Sequence, residues 1–180
     1  MKSYKKMLMA LTITLAICLN GCIHLSPSPM KVTYYDSPSW GEPDCIRHNN
    51  RPNEEVCIYE FGKFPSVVII YSTRFLFKGK AEEYLEFNIS YEESFNTDEF
   101  VYEDSVTYED IDVCDTVGTF IKAKSREGGN FFHDTYSTFL IFLHKNTVYW
   151  ISVDLDETRS DLEFQQSEVD KLISSIECLD

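Results

Sequence analysis

The spacing of apolar and polar residues along the chain predicts a sheet followed by one helix. Val67-Val68-Ile69-Ile70-Tyr71 is an unbroken β-branched and aromatic run, as expected of a central strand. In residues 84–91, Leu85, Phe87, Ile89 and Tyr91 alternate with polar neighbours, which is the period of a half-buried strand. Glu82 and Glu83 just before them also suit a helical start. Val117–Lys124 alternates too, and Gly128-Gly129-Asn130 makes a turn after it. Tyr136–His144 and Val148–Leu155 then read as a hairpin joined around Lys145-Asn146-Thr147. Near the end the period changes. Val169, Leu172, Ile173 and Ile176 recur at i, i+3, i+4, i+7, and Ser167 is placed to cap a helix with Asp170 three residues on. A strand meander closed by an amphipathic helix predicts an α+β domain with an antiparallel sheet.

The order of these last elements resembles the Mog1/PsbP-like fold over about the final 60 residues. That likeness lies in pattern rather than in a motif, and it implies no function.

The N-terminus has a different character. Lys2, Lys5 and Lys6 precede an uncharged stretch from Met7 to Leu19, and Gly21 stands directly before Cys22. A basic start, an apolar middle and a small residue at the cut are the parts of a secretory signal. The stretch is too short to span a membrane, which takes roughly 20 residues. Leu19-Asn20-Gly21-Cys22 resembles the lipobox of bacterial lipoproteins, with Asn20 where Ala or Ser is more usual. Cys18 fits less well, because bulky Ile17 precedes it. The resemblance covers residues 1–22. It implies cleavage before Cys22, a diacylglyceryl thioether on its sulfur and an acylated amine, palmitate being the usual acyl group. The lipid bilayer then becomes a partner through Cys22. Ile23 rather than Asp after the cysteine implies the outer membrane, facing the periplasm. The expected organisation is a signal over 1–21, a lipidated cysteine with a Ser-Pro tether over 22–29, and one globular domain over 30–180.

Charge narrows the partners. The signal holds three of the 16 basic residues and no acid, so the mature part carries 13 basic against 30 acidic residues, a net of −17. Such a balance argues against nucleic acid, whose phosphates need Lys and Arg, and against docking on an anionic lipid surface. A cationic protein would be drawn in. With 13 Phe, 11 Tyr and 2 Trp, the chain is too aromatic to stay disordered.

Beyond Cys18 and Cys22 remain Cys45, Cys57, Cys114 and Cys178, an even set that in an exported chain reads as two disulfides with three possible pairings. Cys45–Cys57 with Cys114–Cys178 is preferred. The first clasps the turn-rich residues 47–53, and the second pins the tail of the last helix to the sheet. No CxxC or paired-histidine spacing supports the rival zinc site.

The segment Glu92–Asp115 holds ten carboxylates and neither Lys nor Arg, with Phe100, Tyr102 and Tyr108 interleaved. As a solvated acidic loop it needs no further role. As a protein-binding face it offers Glu99, Phe100, Tyr102, Glu103, Asp104, Tyr108, Glu109 and Asp110, aromatics for contact and acids for steering. Calcium is the third reading, but the order is not that of an EF-hand. Trp40, in a loop-like stretch, reads first as a lid on the core and second as an anchor for a partner.

Catalytic signatures are missing. His24, His48, His133 and His144 are scattered, and His133-Asp134 are neighbours that would point to opposite faces of a strand. No Gly-x-Ser-x-Gly elbow, HExxH, P-loop or dinucleotide fingerprint occurs. A carboxylate pair for glycoside hydrolysis depends on the fold, not the sequence. The expectation is a lipid-anchored periplasmic protein that binds rather than catalyses and needs no cofactor. An immunity protein against a periplasm-delivered toxin leads; an envelope accessory or assembly lipoprotein is the alternative, and a hydrolase of unrecognised type the second. The sequence does not specify an oligomeric state.

Overall fold

The computed structural model describes residues 32–47, 51–61, 66–93, 102, 105–125 and 134–179. The lipobox, Cys22 and its tether lie outside them, as do Gly128–Asn130, His24, His48 and His133. Over the described residues the chain forms β1 (Val32–Thr33), β2 (Asp44–Arg47), β3 (Glu54–Glu60), β4 (Val67–Arg74), α1 (Lys78–Glu93), β5 (Thr107–Val113), β6 (Thr116–Ser125), β7 (Thr135–His144), β8 (Thr147–Asp156), α2 (Leu162–Ser174) and β9 (Glu177–Cys178). Seven strands make one antiparallel sheet in the order β2-β3-β4-β8-β7-β6-β5, and β1 pairs with β9 in a separate ribbon. Two meanders compose the sheet. They join where β4 lies beside β8, so the chain through α1 carries from mid-sheet to the far edge.

The hairpins follow from their turn residues. Lys145 has φ +56° in the two-residue β7–β8 connection, and Cys114 and Asp115 have φ +52° and +57° between β5 and β6. The β7–β8 turn thus has positive φ at its first central residue alone, whereas the β5–β6 turn has it at both, as a type I′ turn needs to match strand twist. Here a cysteine occupies a position usually left to Asn or Gly.

One sheet face carries the main core. Tyr59, Val68, Ile70, Leu140, Phe142, Tyr149 and Ile151 are buried beneath Val169, Leu172 and Ile176. On the other face, Ala81, Tyr84, Leu85 and Ile89 of α1 pack over Ile141, Leu143, Val148 and Trp150. Both disulfides form as preferred. Cys45 and Cys57 sit directly opposite each other in β2 and β3. Cys114–Cys178 ties the β5–β6 turn to β9 across 64 residues, a loop worth about 4 kcal/mol in the chain-entropy view.

Two expectations are corrected. Residues 84–91 are helical, not a strand. Lys78–Glu93 is rich in helix formers, and Ala81, Leu85 and Ile89 recur every four residues to meet the sheet. Phe87 and Tyr91, which a strand would have buried, are 65% and 61% exposed. The last helix starts at Leu162, so Ser167 lies inside it and caps nothing. Asp161 occupies the N-cap, with its carboxylate held by Arg159 at 2.8 Å and Gln165 at 3.0 Å. Ile176 falls just past the helix yet stays buried.

Gly118 is closely surrounded by core side chains. A Cβ there would come within 2.9 Å of Val113 and 3.0 Å of Leu140. Gly118→Ala is therefore expected to lose about 1–3 kcal/mol in urea unfolding, through overpacking. Asp154 offers a pH test. Burial pushes its carboxyl up to about 6, and the Ser137 hydroxyl donating to Oδ1 at 2.5 Å offsets only part of this. Because the folded protein favours the protonated acid, stability from this group is full below pH 4 and lost as pH rises through 6. Asp154→Asn, which keeps the acceptor oxygen, is expected to be more stable by about 1–3 kcal/mol at pH 7.5 and unchanged near pH 3.5, read from urea midpoints.

Candidate functional site

The site begins with how α2 is held. On one side it lies against the N-terminal arm, residues 32–40. Glu168, almost wholly buried, accepts hydrogen bonds from the Tyr35 hydroxyl at 2.9 Å, from the Ser37 hydroxyl and from Lys171 Nζ at 2.7 Å. The Lys171 ammonium, then the Ser37 hydroxyl, holds its carboxyl below the usual glutamate range. One turn earlier, Gln165 Oε1 accepts from Trp40 Nε1 at 2.9 Å. Trp40 stacks on Phe61 and meets the edge of Tyr59, so it is a lid on the core. Burial drives the Tyr59 hydroxyl far above the usual tyrosine range.

The opposite side of α2 is less covered. A cavity of about 400 Å³ opens between it and the ends of β6 and β7, lined by Thr107, Lys122, Lys124, Tyr136, Thr138 and Val169. A second, of about 390 Å³, lies toward β5, lined by Glu109, Ile111, Asp112, Phe120, Ile173 and Ile176. Asp170 borders both, 3.8 Å from Lys122. Together they form a groove with a basic half and an acidic half, floored by the β5–β6 hairpin.

The basic half is well pinned. Lys124 pairs with Glu157 at 2.7 Å and Asp134 at 3.6 Å, and lies over the rings of Tyr102 and Tyr136. Glu157 raises its pKa. Tyr102 donates to Asp134 at 2.9 Å, and its backbone N–H bonds to the Lys124 carbonyl.

The proposed partner-binding residues are thereby sorted. Glu99, Phe100, Glu103 and Asp104 lie outside the described residues. Tyr102 sits at the basic end of the groove, turned toward Asp134. Tyr108, Glu109 and Asp110 fall on β5, an edge strand rather than a loop. Register divides them: Glu109 pairs with Phe120 on the α2 face, whereas Tyr108 and Asp110 pair with Ile121 and Thr119 on the other. The groove itself escaped the sequence reading. Its signal was Gln165 and Glu168 at core spacing in an amphipathic helix, polar residues that need buried partners. At the opposite edge of the sheet, Cys45 lies on β2, a four-residue exposed strand. Among the described residues, no group of three His, Cys, Asp or Glu is placed to hold a metal ion.

Compared with known proteins, the chain matches no family model and no curated sequence.

Glu168 gives the test of this architecture. Its lowered pKa means its contribution is full above pH 4.5 and lost as pH falls below that. Glu168→Gln is expected to unfold about 1–3 kcal/mol more easily at pH 7, with the gap closing toward pH 3 as the parent itself becomes protonated. Chemical denaturation across that range measures it.

Proposed function

We propose that this protein is a lipid-anchored envelope protein that acts by binding a cationic protein partner along β5 and the adjoining groove. The observation that carries this reading is the β5 edge. It runs seven residues, Thr107–Val113, with no strand on its outer side among the described residues. Exposed Glu109, Asp110 and Asp112 stand along it, with neither Lys nor Arg among them. Acids on an edge repel like-charged strands and so protect it from casual pairing. They leave it receptive to an extended segment bearing Lys or Arg, which gains main-chain hydrogen bonds and charge pairing together. The acidic half of the groove, apolar at Ile111, Phe120, Ile173 and Ile176, lies beside the same strand to receive side chains.

The lipobox-like start and the two disulfides support an oxidising compartment outside the cytosol. A small stapled domain with an acidic edge suits an inhibitor of a toxin delivered into the periplasm, which is our leading assignment. The same edge serves an envelope assembly subunit if the partner is a resident protein.

The processed protein and a Tyr108→Ala/Glu109→Lys/Asp110→Lys variant, all three positions exposed, are compared as baits in periplasmic extract and toward neighbouring toxins. The parent is expected to hold a basic protein that the variant releases at least tenfold more readily, with unfolding midpoints equal. Equal retention by both baits sinks the reading. A resident partner in place of a toxin moves the assignment to envelope assembly.

A further inference from the structure

Away from the acidic edge, one short segment has the opposite character. Arg74-Phe75-Leu76-Phe77-Lys78-Gly79-Lys80 holds three basic residues and no acid, in a chain of net charge −14. Leu76 is 89% exposed and Phe77 72% exposed, the two most exposed large apolar residues described. The tip is not loose. Phe75 packs on Tyr84 with ring centroids 5.2 Å apart, and its N–H bonds to the Asn146 carbonyl at 2.8 Å in the β7–β8 turn. Leu76 and Phe77 are thus presented outward from a fixed base. Phe87 and Tyr91 are further exposed aromatic residues on α1.

The tip also lies where the chain leaves for Cys22. Val32 pairs with Cys178, which is bonded to Cys114 in the β5–β6 turn. That turn, the β7–β8 turn and the end of β4 all stand at one end of the sheet, as the pairings of Arg74 with Thr147 and of Thr119 with Ile141 require. Exposed Val117 and Leu179 belong to this end as well. Between Val32 and Cys22 lie nine residues, a reach of at most about 35 Å.

We infer that the Leu76–Phe77 tip, flanked by Arg74, Lys78 and Lys80, seats in the surface of the bilayer that carries Cys22. This rests on the lipid anchor proposed above. Apolar side chains ringed by Lys and Arg are the pattern of an interfacial contact, the apolar part entering below the headgroups while cations meet their phosphates. Lys78 and Lys80 pair with Glu82 and Glu83, but these are exposed pairs, readily exchanged for lipid phosphate. The net acidity of the protein opposes anionic lipid as a whole, and gathering three cations around the exposed apolar tip favours that end for facing it. The acidic β5 edge, on the far side of the sheet from β4, stays clear for a partner.

The full chain, purified from membranes, is reconstituted with vesicles of phosphatidylethanolamine and phosphatidylglycerol bearing brominated acyl chains. Phe77→Trp is expected to lose at least half its added fluorescence relative to unbrominated vesicles, with the parent's Trp40 and Trp150 as baseline. Adding Leu76→Asp should abolish that quenching. Flotation and intact mass report the anchor separately. A chain that floats with its lipid but leaves Trp at 77 unquenched overturns the docking and keeps the anchor. A chain without lipid that is quenched nonetheless keeps the docking and removes the anchor. Neither signal overturns both.

Discussion

The carboxylate of Glu168 decides where the last helix sits, and the helix decides the rest of that face. A charge at a core position of α2 is tolerated only with partners, and they come from Tyr35 and Ser37 of the arm and from Lys171 on the same helix. Gln165 repeats the arrangement one turn away with Trp40. Because the arm also pairs with β9, and β9 is bonded to the β5–β6 turn, arm, helix and hairpin are tied to one another. The helix is drawn to the arm side. Its other flank therefore stands partly clear of β5 and β6, and the groove is the space that results.

The two edges of the sheet are unequal. β2 has four residues and is stapled to its neighbour by a disulfide, whereas β5 has seven and bears acids on both faces. A long exposed edge is a hazard unless it repels its own kind. Like charge does so here. Charge is polarised along the molecule as well as abundant: acids line the β5 edge, and a basic apolar tip closes one end of β4. A net charge averages these away.

The strand pattern was legible wherever local spacing and burial agree. β4, β6 and the β7–β8 hairpin hold apolar residues at the positions that the sheet buries, on one face or on both, so local pattern and packing point the same way. Residues 84–91 show the failure. Leu85 and Ile89 fit both a two-residue and a four-residue repeat, and Phe87 and Tyr91 tip the count toward a strand. Those two are exposed in the fold, so they carried no information about burial. The misplaced cap at Ser167 has a related cause, since no apolar residue lies between Phe164 and Val169, and the pattern therefore reads as beginning at Val169.

The α+β class, the helical end and the acidity of residues 92–115 were all written in the sequence, which also favoured, among three possible pairings, the two disulfides that form. Each follows from local spacing, side-chain type or chain length between cysteines. Only the tertiary structure decided that β4 lies against β8, that Glu109 and Asp110 face opposite ways on an edge, and that Glu168 turns inward. Those facts depend on which distant strands find one another, and that is settled by burying the whole apolar surface at once rather than by any single segment's period.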